Sequence, residues 1–183
     1  MLKHTFFTEV LLSNPYRLRL IVDYVQIYLE RRETIMLKGI PEVLSPELLK
    51  VLDEMGHSDK IVISDGNFPA HSVGKNAIVI RADGHGVPEI LDAVLKLMPL
   101  DSYVEHPVSL MEVMPGDPVE TPIWEKYKEI VEKYDARGSS AIGTIERFKF
   151  YEVASHAYAI VVTGETALYA NVMLQKGVVI ESE

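Results

Sequence analysis

The chain has 183 residues, 48% of them apolar, and a formal net charge of −9, which suits one globular domain with a real core. It has no cysteine, which excludes a disulfide framework and thiolate chemistry and fits a reducing cytoplasm. Residues 1–35 carry five Lys/Arg against four Asp/Glu and the remainder carries 13 against 23, an acidic body that argues against nucleic acid or an anionic membrane as partner.

At the N-terminus, Glu9 breaks the apolar stretch and no small-residue cleavage site follows, so a signal peptide is not expected. No apolar run approaches the roughly 20 residues that cross a bilayer. Leu18, Ile21, Val22, Val25 and Leu29 recur at helical spacing, which predicts a helix from about Tyr16 to Arg32. Met36-Leu37-Lys38 then repeats Met1-Leu2-Lys3. Residues 1–35 therefore read as an appendage, either a real extension or an upstream start of translation, and residues 36–183 as the compact domain.

From Val43 the signals sharpen. Ser45-Pro46-Glu47 is an N-cap, a proline at the first helical position and an early acid. Leu48, Leu49, Leu52 and Met55 form one apolar stripe, and Gly56 suits a left-handed C-terminal residue. Ile61–Ser64 and Ala77–Ile80 read as buried strands. Val87-Pro88-Glu89 opens a helix with Ile90, Leu91, Val94, Leu95 and Met98 inward. Ser109–Met114 reads as a strand stopped by Pro115-Gly116-Asp117-Pro118, and Thr121-Pro122 caps a helix that runs to Tyr134. Residues 147–154 fit strand by their Phe/Tyr content and helix by the spacing of Phe148, Tyr151 and Ala154. Tyr158–Thr163 and Asn171–Leu174 complete the strands. Strands alternating with helices predict an α/β fold, a layered single domain with a central sheet flanked by helices.

Helix ends and strand ends are where α/β proteins place their chemistry. Helix, Gly56, His57, a short strand and then Asp65 put a group that titrates near neutrality and an anionic acceptor on rigid elements, able to face one small substrate. The loop Asp65–Ser72 offers carboxylate, amide, imidazole and hydroxyl groups suited to sugar hydroxyls, with Phe68 for a sugar's apolar face. Arg147 beside an aromatic run, and Tyr169-Ala170-Asn171 before the last strand, are unspecific when taken singly. The histidines show no i, i+4 pairing and there is no Cys, so no metal site is read. Gly84-x-Gly86 is too short for a phosphate loop. Asp65 and Asp83 form a conceivable glycosidase pair if their carboxyls lie about 5–9.5 Å apart across one bond.

Together the motifs resemble the fucose mutarotase and ribose pyranase family. The matching pieces run collinearly: Ser45–Leu52, Glu54-Met55-Gly56-His57, Ser64-Asp65, Phe68-Pro69-Ala70-His71-Ser72, Ile80–Gly84, Leu100-Asp101-Ser102-Tyr103, Arg147-Phe148, Phe150-Tyr151-Glu152, Val162–Glu165, Tyr169-Ala170-Asn171 and Lys176-Gly177. They cover about residues 36–180. The resemblance implies a cytoplasmic, cofactor-free isomerase that interconverts sugar anomers and ring forms, with a monosaccharide as its partner. His57 takes the place of the proton-donating histidine. Asp65, Arg147, Tyr169, Ala170 and Asn171 take the places of substrate-binding residues. Arg147 and the Phe68–Ser72 stretch resemble the L-fucose branch, since the ribose branch has histidine where Arg147 stands. Two positions depart from that branch: Ala170 replaces a frequent glycine, and Asp65-Gly66-Asn67 replaces a more usual Asp-Ala-His. The resemblance also implies ring-shaped homo-oligomers, often decamers, with sites near subunit contacts. A non-catalytic sugar-binding protein on the same scaffold is the alternative reading.

Overall fold

The computed structural model describes residues 37–180, and the chain from Val43 onward forms one compact unit. The helix expected over residues 16–32 lies outside the described residues. The first described helix, α1 (Pro46–Glu54), starts where Ser45 accepts a hydrogen bond from the Leu48 N–H and Pro46 pre-sets the first turn. Gly56 does not close it in the expected way. Met55 already leaves the helix with extended backbone, and the left-handed residue is Ser58, at φ 71°. The Gly56 N–H is instead satisfied by the Asp59 carboxylate.

The order continues β1 (Lys60–Ser64), α2 (Ala70–Val73), β2 (Ile78–Ala82), α3 (Val87–Leu97), β3 (Val108–Met111), α4 (Ile123–Tyr134), a 3₁₀ turn (Gly138–Ala141), β4 (Ile142–Ile145), α5 (Arg147–Ala154), β5 (Ala159–Thr163) and β6 (Val172–Gln175). The six strands form one sheet in the order β2-β5-β1-β6-β3-β4. β2, β5 and β1 run parallel, β6 runs antiparallel to β1 and β3, and β4 runs parallel to β3. β1 and β5 are interior and apolar on both faces, as buried parallel strands are. Helix α3 packs on β1 and against α4. On the other face, Phe150 and Ala154 of α5 pack with Val62, Ile160, Val162 and Met173. That inward pair, four residues apart, and the Glu146 carboxylate capping the Lys149 N–H settle residues 147–154 as helix.

Three elements escape a sequence reading. β4 is four residues long, with Gly143 and Thr144 breaking any apolar alternation. Its neighbour, the 3₁₀ turn, carries no periodic signal. Helix α2 is a single turn inside what reads as a polar loop. β3 ends at Met111 rather than Met114, because the Met114 N–H turns away to the Tyr169 hydroxyl. Among the described residues no helix is long and apolar enough to cross a membrane.

Candidate functional site

The strand directions decide which residues meet. Ile63 lies opposite Val172, and Val172 opposite Leu110, so the C-terminal ends of β1 and β3 and the start of β6 share one end of the sheet. β4 runs with β3, so Glu146 and Arg147 emerge there too. A cleft of about 220 Å³ opens at that end. Asp65, Arg147, Tyr169 and Asn171 line it, as do Asn67, Phe68, Met111, Asp117, Tyr151 and Leu168. The crevice outside the carboxyl ends of strands is the usual ligand position in open α/β sheets.

Asp65 and Asn171, both nearly buried, lock each other. The Asn171 amide donates to Asp65 Oδ2 at 2.8 Å, and its oxygen accepts from the Asp65 N–H at 3.1 Å. The Asn67 N–H donates to the other carboxylate oxygen at 2.9 Å. Burial pushes the Asp65 carboxyl above the usual carboxylate range, with the Glu165 charge adding to it; the hydrogen bonds from Asn67 and Asn171 only partly oppose this.

The segment 169–171 is held from behind by α4. The Trp124 indole donates to the Tyr169 carbonyl at 2.9 Å, and the buried Tyr127 hydroxyl to the Ala170 carbonyl at 2.8 Å. Burial raises the Tyr127 phenol far out of the titrating range, so it remains a neutral donor. Tyr169 itself is left-handed at φ 55°, an uncommon conformation for a bulky residue. Its hydroxyl donates to Asp117 at 2.7 Å. Arg147 lies 5.8 Å from the centre of the Tyr151 ring, and its Nε is buried with no partner among the described residues. An unpaired buried donor at a cleft wall is a group set to receive a ligand oxygen.

Phe68 is 7% exposed and packs edge-on against Phe150 and tilted against Tyr151, so it forms a fixed wall rather than a free stacking platform. Asp83 is exposed, pairs with Arg81 and does not line the cleft, which removes the two-carboxylate arrangement with Asp65. Asp117 was hidden by its turn, where Pro115-Gly116-Asp117-Pro118 reads as punctuation. An acid just beyond a strand end was the available signal.

His57 does not face Asp65. It precedes β1 whereas Asp65 follows it, and the five-residue strand Lys60–Ser64 alone spans about 13 Å. The carboxylate against His57 is that of Asp101, 3.1 Å from Nε2, and Gln175 at the far end of β6 joins them. Two residues that frame one short strand thus sit at its opposite ends.

The mixed sheet and its cleft define a small α/β protein with a polar, monosaccharide-sized site at the strand ends. The chain belongs to the RbsD / FucU transport protein family, which it matches over residues 38–179. It is 52% identical over 148 residues to the fucose mutarotase of Homo sapiens, covering 79% of this chain and 95% of that one. It superposes on FucU of Bifidobacterium longum with a TM-score of 0.77 at 60% identity, covering 78% of this chain and all of that one. It superposes on the fucose mutarotase of Streptococcus pneumoniae, solved with L-fucose, with a TM-score of 0.72 at 49% identity, covering 79% of this chain and all of that one.

Proposed function

We propose that this protein is an L-fucose mutarotase, an isomerase that interconverts the α and β anomers of the free sugar, with ring-form exchange of D-ribose as a side activity. The observation that carries the reading is the convergence of Asp65, Arg147, Tyr169 and Asn171 on one cleft, in a chain about half identical to fucose mutarotases along its domain.

Mutarotation opens the hemiacetal and recloses it on the other face. A proton reaches the ring oxygen, another leaves the anomeric hydroxyl, the C1–C2 bond turns, and both transfers reverse. Neither electrons nor a Lewis acid are needed. The Arg147 guanidinium and the Asp65–Asn171 pair orient hydroxyls, and Phe68 and Tyr151 supply the apolar wall. His57 is the acid. Because it sits at the far end of β1 from its own cleft, it serves the cleft of a neighbouring copy, in keeping with a ring-shaped homo-oligomer. General acid–base help of this kind contributes about 10²–10⁴-fold. The enzyme works in the cytoplasm on a metabolic monosaccharide. Residues 1–35 lie outside the family match and are an appendage to the catalytic domain.

Exchange between the anomeric proton signals of α- and β-L-fucose, followed by NMR with D-ribose alongside, tests the reading. Absence of acceleration by the wild-type protein sinks it. Full activity in His57→Ala removes His57 as the donor. A second reading, a sugar-binding protein without catalysis, draws on the distance between His57 and its own cleft. It predicts saturable fucose binding with unchanged exchange rates.

A further inference from the structure

The groups around His57 form a built cluster that the cleft does not use. Asp101 is 1% exposed, following the bridge residue Leu100. Its Oδ1 accepts from the Tyr103 N–H at 2.9 Å. Its Oδ2 accepts from the Gln175 amide at 2.9 Å and lies 3.1 Å from His57 Nε2, with the Ser58 hydroxyl at 3.4 Å. The backbone on either side is fixed as well: the Asp101 N–H donates to the Gln175 carbonyl, and Arg137 donates to the Asp101 carbonyl. Burying a carboxylate is costly unless donors surround it, and here every neighbour of the two oxygens is a donor. Burial pushes the Asp101 carboxyl up, but the hydrogen bonds from Tyr103, Gln175 and His57 outweigh it and hold the group ionised.

An ionised carboxylate can only accept. The His57 nitrogen facing it must therefore carry a proton in both the neutral and the charged ring. We propose that Asp101 is the positioning residue for His57, fixing Nε2 as the permanent N–H and leaving Nδ1 as the nitrogen that delivers the proton in ring opening and recovers it in closure. Nδ1 bonds to no described residue, and the His57 side chain is 43% exposed with the Tyr103 ring 5.4 Å away, so it is available to a ligand outside its own protomer. Charged His57 gives the Nδ1 proton to the ring oxygen as the C1–O bond of the ring breaks, and becomes neutral. The anomeric hydroxyl gives its proton to solvent water as the aldehyde forms, and closure returns both protons. Asp101 stays an anion throughout and accepts from Nε2–H before and after. An acid that shuttles its proton in this way needs its ring held in one tautomer and one orientation.

The inference rests on the mutarotase reading, and the experiment separates the two. In Asp101→Asn the amide NH₂ must face either the Tyr103 N–H or the His57–Gln175 side, so one donor is opposed by another, and in both orientations the negative charge that holds His57 is gone. The maximal anomer exchange rate of full-length Asp101→Asn is expected to fall by about 10²–10⁴-fold, with KM for L-fucose moving less than about 3-fold. In the wild type, ¹⁵N spectra of labelled histidine, with His57 assigned by its loss in His57→Gln, should show the Nε2–H tautomer at high pH. That second measurement needs no variant of Asp101 to fold. A wild-type Nδ1–H tautomer overturns the proposal, as does an Asp101→Asn protein that matches an active wild type. A wild type with no exchange activity overturns the mutarotase reading and the proposal with it.

Discussion

Replacing Asn171 by Ala removes both halves of the lock on Asp65. The Asp65 N–H loses its acceptor and the carboxylate loses its amide donor, with both residues buried. An orphaned buried N–H costs about 1–3 kcal/mol and a hydrogen bond to a charged group contributes about 1.5–3 kcal/mol. At neutral pH the unfolding free energy should therefore drop by about 3–5 kcal/mol, and the melting temperature by roughly 10 °C for a domain of this size. The loss must also depend on pH. The folded Asp65 carboxyl already titrates above its unfolded value of 3.8. Its contribution to stability is thus fully present below that value and fades as pH rises through the folded pKa. Without Asn171 the ionised form is solvated less well, so the folded pKa rises further and the total loss with rising pH is larger. The difference between variant and wild type should be about 1 kcal/mol smaller at pH near 4 than at pH 7. Urea unfolding of both proteins across that range, at one fixed protomer concentration, measures it. A loss under about 1 kcal/mol at pH 7, or a loss flat with pH, refutes the account of a buried carboxylate held by Asn171.

Tyr127→Phe strands the buried Ala170 carbonyl and should cost about 1–3 kcal/mol in thermal unfolding, with KM for fucose rising as the 169–171 segment loosens. Arg147→Lys loses the planar fork beside Tyr151 and should raise KM at least about 10-fold while changing stability by under about 1 kcal/mol. Lys176→Met removes the ammonium that donates to the Leu52 and Met55 carbonyls at the end of α1, and calorimetry should register about 1–2 kcal/mol of destabilisation. At Gly164 an added Cβ would land on the Asp83 carbonyl, whereas at Gly84 it meets nothing within 4 Å. Gly164→Ala should lose more than about 2 kcal/mol and Gly84→Ala less than about 0.5.

The sequence by itself determined the elements with a strong local signal. Ser45-Pro46-Glu47 and Val87-Pro88-Glu89 place helix starts through backbone chemistry confined to one turn. The apolar runs at Ile61–Ser64 and Tyr158–Thr163 mark two interior strands, because a strand buried on both faces has no polar side to alternate. The collinear motifs name Asp65, Arg147, Tyr169 and Asn171, which line one cleft. The tertiary structure decided what no local pattern encodes. It placed β6 antiparallel between β1 and β3, and that direction carries Asn171 to Asp65 while carrying Gln175 to the opposite end of the sheet, beside His57 and Asp101. Helix–Gly56–His57–strand–Asp65 therefore reads as one unit along the chain and is two sites in space. Eight positions of sequence say nothing of distance until an extended strand turns them into length.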